Sequence, residues 1–427
     1  MRFTHRAHPG KVVRLAYCLN VHPARTLDGV ARGIEEITVP LRSRIAPGEP
    51  FGVGLYLPAA SLGDESPSIA EAPFASRFAA VRRALSVLEP LCQRHALDAF
   101  TVNAFPYGDF HAESLKERVF EPTWLDPRRA SWTYSVAAIA AALPRPAGAR
   151  GHLSISTHTG MHSSSPQARD SARAIGEGLG SVVDELRKVQ AERVVLALEP
   201  EPRANCGDTR ELRELFANGI GAARPADLVR GHLGTCLDVC HAAVEFEDAR
   251  SALANAAANG AGIAKLQVTN AVVLRDPARN HRGRAALFAM AEPRYLHQVT
   301  GRGARGLMHA GDLPELEAAF ARGDSGWSAC DEWRCHFHVP IDRAELGGSG
   351  LETTRAATDE IVQLALGSPA LWGLDELHLE IETYTWDVLP AAARGAGELI
   401  DSLEREYRHV LAQLARAGWA LDSAPAR

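Results

Sequence analysis

Residues 193–202, RVVLALEPEP, and 233–241, LGTCLDVCH, each carry a short apolar run that stops at a carboxylate, Glu199 in the first and Asp238 in the second. A continuous apolar run of this length predicts a strand buried on both faces, as in a parallel sheet covered by helices. Two further runs end alike: AKLQV at 264–268 presents Gln267, and LHLEIE at 377–382 presents Glu382. Polar groups closing neighbouring parallel strands gather at one mouth of a barrel, where a divalent ion can sit between them.

Outward from this centre the same pattern repeats. Strands are predicted over 12–21 (VVRLAYCLNV), 51–57 (FGVGLYL), 99–105 (AFTVNAF) and 153–157 (LSIST), followed by 194–198, 233–237, 263–268 and 377–381. Helical spacing fills the gaps at 26–45, 76–97, 127–143 and 167–190, with Asp126 as N-cap before Pro127, and Asp208 and Glu211 opening another helix. This alternation predicts one closed (β/α)8 TIM barrel. A chain of 427 residues fits a barrel of about 250 residues that carries insertions. The rhythm breaks over 269–332, after the seventh strand, where a long insertion is expected as a lid with short helices near 284–291 and 313–320. WRCHFHVP at 333–340 then returns to the core with His336 and His338 on one face, and helices follow at 353–366 and 397–417. One domain over 1–427 is the simplest account.

A formal charge of −6 argues against a protein that grips nucleic acid by its phosphates. Seven scattered cysteines, an odd number, suit reduced thiols in the cytoplasm. Cys236 and Cys240 flank Asp238 without a second pair to complete a zinc site, and read as small core residues. The basic N-terminus lacks the apolar run of a secretory signal, and no stretch is long enough to span a membrane.

The chemistry is carried by few side chains. Glu199, directly after VVLAL, is either a catalytic or metal-binding carboxylate or half of a structural ion pair. Glu201, past Pro200, is expected to be solvated or to sit behind the site. Asp238 and His241 can face one mouth as metal ligands; alternatively Asp238 is only the N-cap of the next helix. Gln267 can offer a carbonyl oxygen to a metal or simply hydrogen-bond. Lys265, on the same strand face, can bind an anionic substrate group or neutralise the acidic mouth. Glu382 is better placed for the mouth than Glu380, and Tyr384 continues their face. His336 and His338 form an H-x-H, whose period-two spacing aims both rings one way. Asn103 and His158, at the ends of the third and fourth strands, are substrate-binding candidates or turn hydrogen-bonders. Arg294 and His297, in AEPRYLHQ of the insertion, are candidates for capturing substrate.

GTCLDVCH, with LEPE before it and EIET after it, resembles the xylose-isomerase-like TIM barrels, which include sugar isomerases, epimerases and endonuclease IV-type enzymes. The resemblance implies a divalent metal (Mn, Zn or Mg) held at the ends of strands five to eight, with two glutamates as acid/base groups. Carried over, these are Glu199, Asp238 and Glu382, with His241 on the strand-six turn. The seventh-strand ligand, a histidine in that family, is Gln267 here, and His336 or His338 is a candidate replacement. Nine blocks in order, among them LAYCLNVHPA, FGVGLYLP, TVNAFPYGDFH, CLDVCHAAVEFED and LEIETYTWDVLP, resemble the metabolite-traffic protein EboE family. That resemblance implies a gene-cluster setting, partner proteins of that cluster and a sugar- or cyclitol-like small molecule. The expectation is therefore a cytoplasmic, metal-dependent isomerase or epimerase. The alternatives are a non-catalytic metabolite carrier or, less well supported, an endonuclease IV-like phosphodiester hydrolase.

Overall fold

The computed structural model describes residues 1–63, 74–146, 151–168, 171–189, 194–220, 231–395 and 397–422. Its strands are β1 (Arg2–Thr4), β2 (Val12–Cys18), β3 (Phe51–Leu55), β4 (Leu97–Asn103), β5 (Leu153–His158), β6 (Val194–Glu199), β7 (Leu233–Asp238) and β8 (Gly262–Val268). There follow β9 (Asn270–Arg275), β10 (Val299–Gly303), β11 (Gly306–Ala310), β12 (Cys330–Val339), β13 (Glu352–Thr353), β14 (Glu376–Ile381) and β15 (Ala420–Leu421). β2 to β8 pair in chain order, each parallel to the next, and β14 joins β8 to β2. The ring is closed, a (β/α)8 barrel.

Alternation along a strand sorts its side chains. In β6, Val194, Leu196 and Leu198 join the apolar shell under the helices, whereas Val195 and Ala197 cluster with Cys236. Burying a leucine such as Leu196 stabilises the shell by roughly 1.5–3 kcal/mol. The expected helix over 26–45 is present, with a wider turn at Ile34–Thr38 just before Pro40, which lacks an N–H for the regular ladder. Asp126 and Asp208 cap their helices as expected. The expected helix over 167–190 is seen as Ala172–Lys188; residues 169, 170 and 190 of that stretch lie outside the described ones. Among the described residues, no helix is long and apolar enough to cross a membrane.

The insertion differs from its expected form. It carries the two helices, at His281–Phe288 and Leu313–Ala321, but is built on a second, antiparallel sheet in the order β11-β10-β12-β9-β13. WRCHFHVP therefore belongs to the insertion, in β12, and the inserted sheet extends beyond residue 332. This sheet has its own core around Val272, Leu287, Trp327, Trp333 and Phe337. It rests on the helix Val239–Val244 that follows β7, at the carboxyl end of the barrel. Pairing of β12 with β9 shifts between Cys335 and Val339, and the segment so released runs into the mouth.

Candidate metal centre and substrate cavity

Three carboxylates meet at the ends of β6, β7 and β14. Ligand atoms of Glu199, Asp238 and Glu382 lie within 4.8 Å of one another, and all three residues are buried. Asp238 divides its work: Oδ1 accepts from the N–H groups of Cys240 (2.6 Å) and His241 (3.3 Å), capping the next helix. Its Oδ2 is buried without a hydrogen-bond partner, as is Glu199 Oε2. Glu382 is aimed by two amides, Asn20 Nδ2 at 2.7 Å and Asn103 Nδ2 at 2.5 Å, which both donate to Oε1. Burial and then mutual repulsion push the Glu199 and Glu382 carboxyls well above the usual carboxylate range. Asp238 is raised by burial, against the pull of His338 and its two backbone donors.

Beside them stand three histidines. His241 comes from the barrel, in the first turn after Asp238; His336 and His338 come from β12, with Phe337 turned the opposite way onto His297. His336 Nε2 lies 3.1 Å from His241 Nε2 and 3.0 Å from His338 Nε2. Asp238 Oδ2 is 3.8 Å from His241 Nε2 and 3.7 Å from His338 Nε2, so it borders both groups. Burial lowers His241 and His338 to about 4 and His336 well below its ordinary value. All three rings are neutral near pH 7.

Above these donors is a partly enclosed cavity. Glu199, Glu201, His241, His336, His338 and Glu382 line its polar end. Phe105, Phe110, Leu115 and Val119, from the segment after β4, and Tyr295 and Leu296 of the insertion form apolar walls. Lys116 also lines it, and its Nζ reaches Asp312 at 2.6 Å, tying insertion to barrel.

Not every expected site residue is here. Asn103 and Tyr384 line the cavity. Gln267 is fully buried and its Oε1 accepts from Cys236 Sγ at 3.0 Å, apart from the cavity lining. Lys265 lies deeper in the barrel, 2.5 Å from Glu380 Oε2 and 3.1 Å from Ser156 Oγ, so it answers Glu380 and not a substrate anion. His158 is buried against Phe105 and Phe120. His297 bonds to Glu292 at 2.8 Å, and Arg294 to Asp387 at 2.6 Å; neither lines the cavity.

Glu201 is the residue the sequence reading undervalued. It is 6% exposed, not solvated, and accepts from Gln298 Nε2 at 2.9 Å. Burial raises its carboxyl to about 8, partly offset by that bond. The signal was present in E-P-E: Pro200 holds the chain extended, and period two returns Glu201 to the face of Glu199. Asn20 and Gln298, which aim Glu382 and His336, carry no comparable signal.

No protein-family model and no curated protein matches the sequence. Among solved structures, the chain is similar to an Anabaena variabilis protein assigned as a sugar phosphate isomerase/epimerase, at 10% identity and TM-score 0.47, covering 95% of this chain and 99% of that one. It is similar too to a magnesium-bound xylose isomerase-like TIM barrel protein of Mycobacterium smegmatis, at 10% identity and TM-score 0.46, covering 97% and 99%. A third is an L-ribulose 3-epimerase, at 12% identity and TM-score 0.44, covering 95% of each chain. Likeness this remote concerns fold alone. The barrel stands on its own closed ring of strands.

Proposed function

We propose that this chain is a metal-dependent isomerase or epimerase acting on a small sugar- or cyclitol-like carbonyl compound. The observation that carries the reading is the acidic cluster of Glu199, Asp238 and Glu382, buried within mutual reach of a single ion. Two of its oxygens, Glu199 Oε2 and Asp238 Oδ2, have no hydrogen-bond donor, and hard divalent ions are bound by oxygens of this kind. The residues therefore fit a divalent metal, with Glu199, Asp238 and Glu382 to hold it. Such an ion, when bound, polarises a substrate carbonyl and acidifies the neighbouring C–H.

The protein's own part is proton movement. Glu199 at the end of β6 and Glu382 directly after β14 reach the mouth from strands separated by β7 and β8, so they approach a bound substrate from two sides. One removes the proton beside the carbonyl, and the other returns a proton at the neighbouring carbon or on the opposite face. The amides of Asn20 and Asn103 hold Glu382 to this task. Glu201, protonated near neutral pH, can donate to a substrate hydroxyl or oxygen. The apolar walls exclude water from the intermediate. The resemblance to the EboE family favours a cyclitol- or sugar-derived substrate and work alongside other proteins of that cluster in the cytoplasm.

A carrier that holds a metabolite without turnover is the second reading, favoured by the covered cavity and its tie between Lys116 and Asp312. One experiment separates the two. Manganese-loaded wild type, Glu199→Gln and Glu382→Gln are incubated with ketoses and cyclitol ketones in deuterium oxide, and carbon-bound deuterium is followed by NMR. Wash-in by wild type, reduced at least about 100-fold in each variant, is expected. Binding without wash-in supports the carrier, and wash-in that survives both substitutions refutes the assigned roles.

A further inference from the structure

The cavity at the mouth has two chemically different ends. Glu199, Glu201 and Glu382, all buried, form one of them. The other is apolar and is built by Phe105, Phe110, Leu115 and Val119 with Tyr295 and Leu296. Leu115 and Val119 are only half-buried, so apolar surface is left open there and is not used up in packing. Phe110, Tyr295 and Tyr384 come from three separate parts of the chain, and their ring centroids lie 4.6, 5.1 and 5.2 Å apart. Rings packed this closely make a wall that is set before any ligand arrives. The Tyr295 hydroxyl is occupied 3.3 Å from His111 Nδ1.

The cavity offers an anion little. Lys116 is the one lysine or arginine among the described residues that line it, and its Nζ is held by Asp312. Lys265 and Arg294 answer Glu380 and Asp387. The N-terminus of the helix Val239–Val244, a usual seat for a phosphate, is already capped by Asp238 Oδ1. A phosphate or carboxylate on the substrate would meet acids at one end and bare rings at the other, and its charge would be desolvated at both. An apolar group instead gains about fourfold in affinity for each methylene that the walls bury.

We propose that the substrate is uncharged and two-ended, with a polyhydroxy carbonyl head against Glu199 and Glu382 and an alkyl or aryl substituent along Phe105, Phe110, Leu115 and Val119. The place of the head rests on the isomerase reading, and that of the substituent on the walls. Because the insertion supplies Tyr295 and Leu296, it takes part in selecting the substituent while the barrel holds the head.

The test reads binding apart from turnover. The full manganese-loaded chain is titrated calorimetrically with the D-ketohexoses and 2-keto-myo-inositol, each as the free compound, a phosphate ester and a benzyl ether. At least one benzyl ether should bind about tenfold tighter than its free form, or more, and no phosphate ester should bind better than its free form. Leu115→Asp and Val119→Asp alter half-buried positions, and each should cut the benzyl advantage to about threefold or less. Benzyl ethers that bind no tighter than the free compounds, a phosphate ester that binds tighter than both, or a benzyl advantage that survives both substitutions overturns the proposal. The wild-type comparison decides by itself should either variant fail to fold. Tight binding of a benzyl ether without deuterium wash-in would defeat only the isomerase reading. Wash-in confined to free or phosphorylated compounds would defeat only this one.

Discussion

The inside of the barrel holds two kinds of acid, one above the other on the same strand. β14 and the residue after it read E-L-H-L-E-I-E, and period two turns Glu376, His378, Glu380 and Glu382 inward. The lower members are answered from within the chain. Arg14 pairs with Asp98 and lies 3.9 Å from Glu376, His378 bonds to Ser154 at 2.8 Å, and Lys265 takes Glu380. Gly54 makes room for that last pair, since a Cβ there would overlap Glu380 Oε1. At the mouth, Glu199, Asp238 and Glu382 have amides and backbone N–H groups around them but no lysine or arginine within ion-pair distance among the described residues. Desolvating an uncompensated carboxylate costs several kcal/mol. The lower layer meets that cost with its own cations, and on the function proposed above the upper one would receive a cation from solution.

Removing the internal cation tests this contrast most severely. Lys265→Met leaves Glu380 buried without its partner and should cost about 3–5 kcal/mol in urea unfolding. Lys265→Met/Glu380→Leu should recover most of it. An unchanged midpoint for the single variant would show that the pair is not the lower layer's support.

The next effect is a pH slope in the metal-free chain. Burial raises Glu201, Glu247 and Glu406 from 4.5 to about 8, and lowers the Met1 amine from 8.0 to about 5. Between pH 6.5 and 8 the folded chain keeps three carboxyl protons that the unfolded chain has lost, and lacks one amine proton that the unfolded chain keeps. Buried histidines lowered from 6.5, among them His22, His158, His241, His336, His338 and His378, act oppositely below about pH 7, where only the unfolded chain protonates them. Above about pH 7 the chain binds more protons when folded, so its stability falls as pH rises toward 8, by on the order of 1 kcal/mol. Glu199 and Glu382, also raised, act in the same direction. Metal binding displaces protons, so thermal melts with added zinc or manganese should show a larger stabilisation at pH 8 than at pH 6.5. A metal-free midpoint that rises from about pH 7 to 8 would contradict the account.

The smallest effect is the most telling in sign. Glu382→Gln removes one of three mutually repelling acids and keeps an oxygen for Asn20 and Asn103. The metal-free variant should be as stable as wild type or gain up to about 1 kcal/mol, while its manganese-induced thermal shift disappears. A loss as large as that of Lys265→Met would mean that both layers are structural.

Much of this was legible in the chain. The eight barrel strands announce themselves as largely apolar runs, most of them closed by a polar residue and the one at 51–57 by Pro58, because a strand buried on both faces needs apolar side chains on both. The inserted sheet was not announced. VTGRG and GLMHA, which form β10 and β11, are short, glycine-rich and partly exposed, so neither apolar continuity nor clean alternation marks them. Lys265 and Glu380 were each visible, but their pairing follows from the register of β14 against β8, where Glu380 faces Gln267 and His378 faces Lys265. H-x-H marked His336 and His338 as a pair. Their ring orientations depend on Gln298 and the carbonyl of Glu382, and no residue pattern encodes a carbonyl's direction. Asp238 is the instructive case, since helix cap and metal ligand were posed as alternatives: Oδ1 caps the helix, and that leaves Oδ2 without a hydrogen-bond partner beside the other carboxylates.

The position of the insertion also bears on how a newly made chain matures. It lies between β8 and β14, and β14 is the strand that closes the ring onto β2. Residues 269–375 separate the two strands in sequence, and contacts between such distant parts of a chain form slowly. Until then β8 and β2 present open edges that invite pairing with other chains. The donors from β6, β7, β12 and β14 come together only at closure, so uptake of metal during biosynthesis would serve as a time-stamp for the completed barrel.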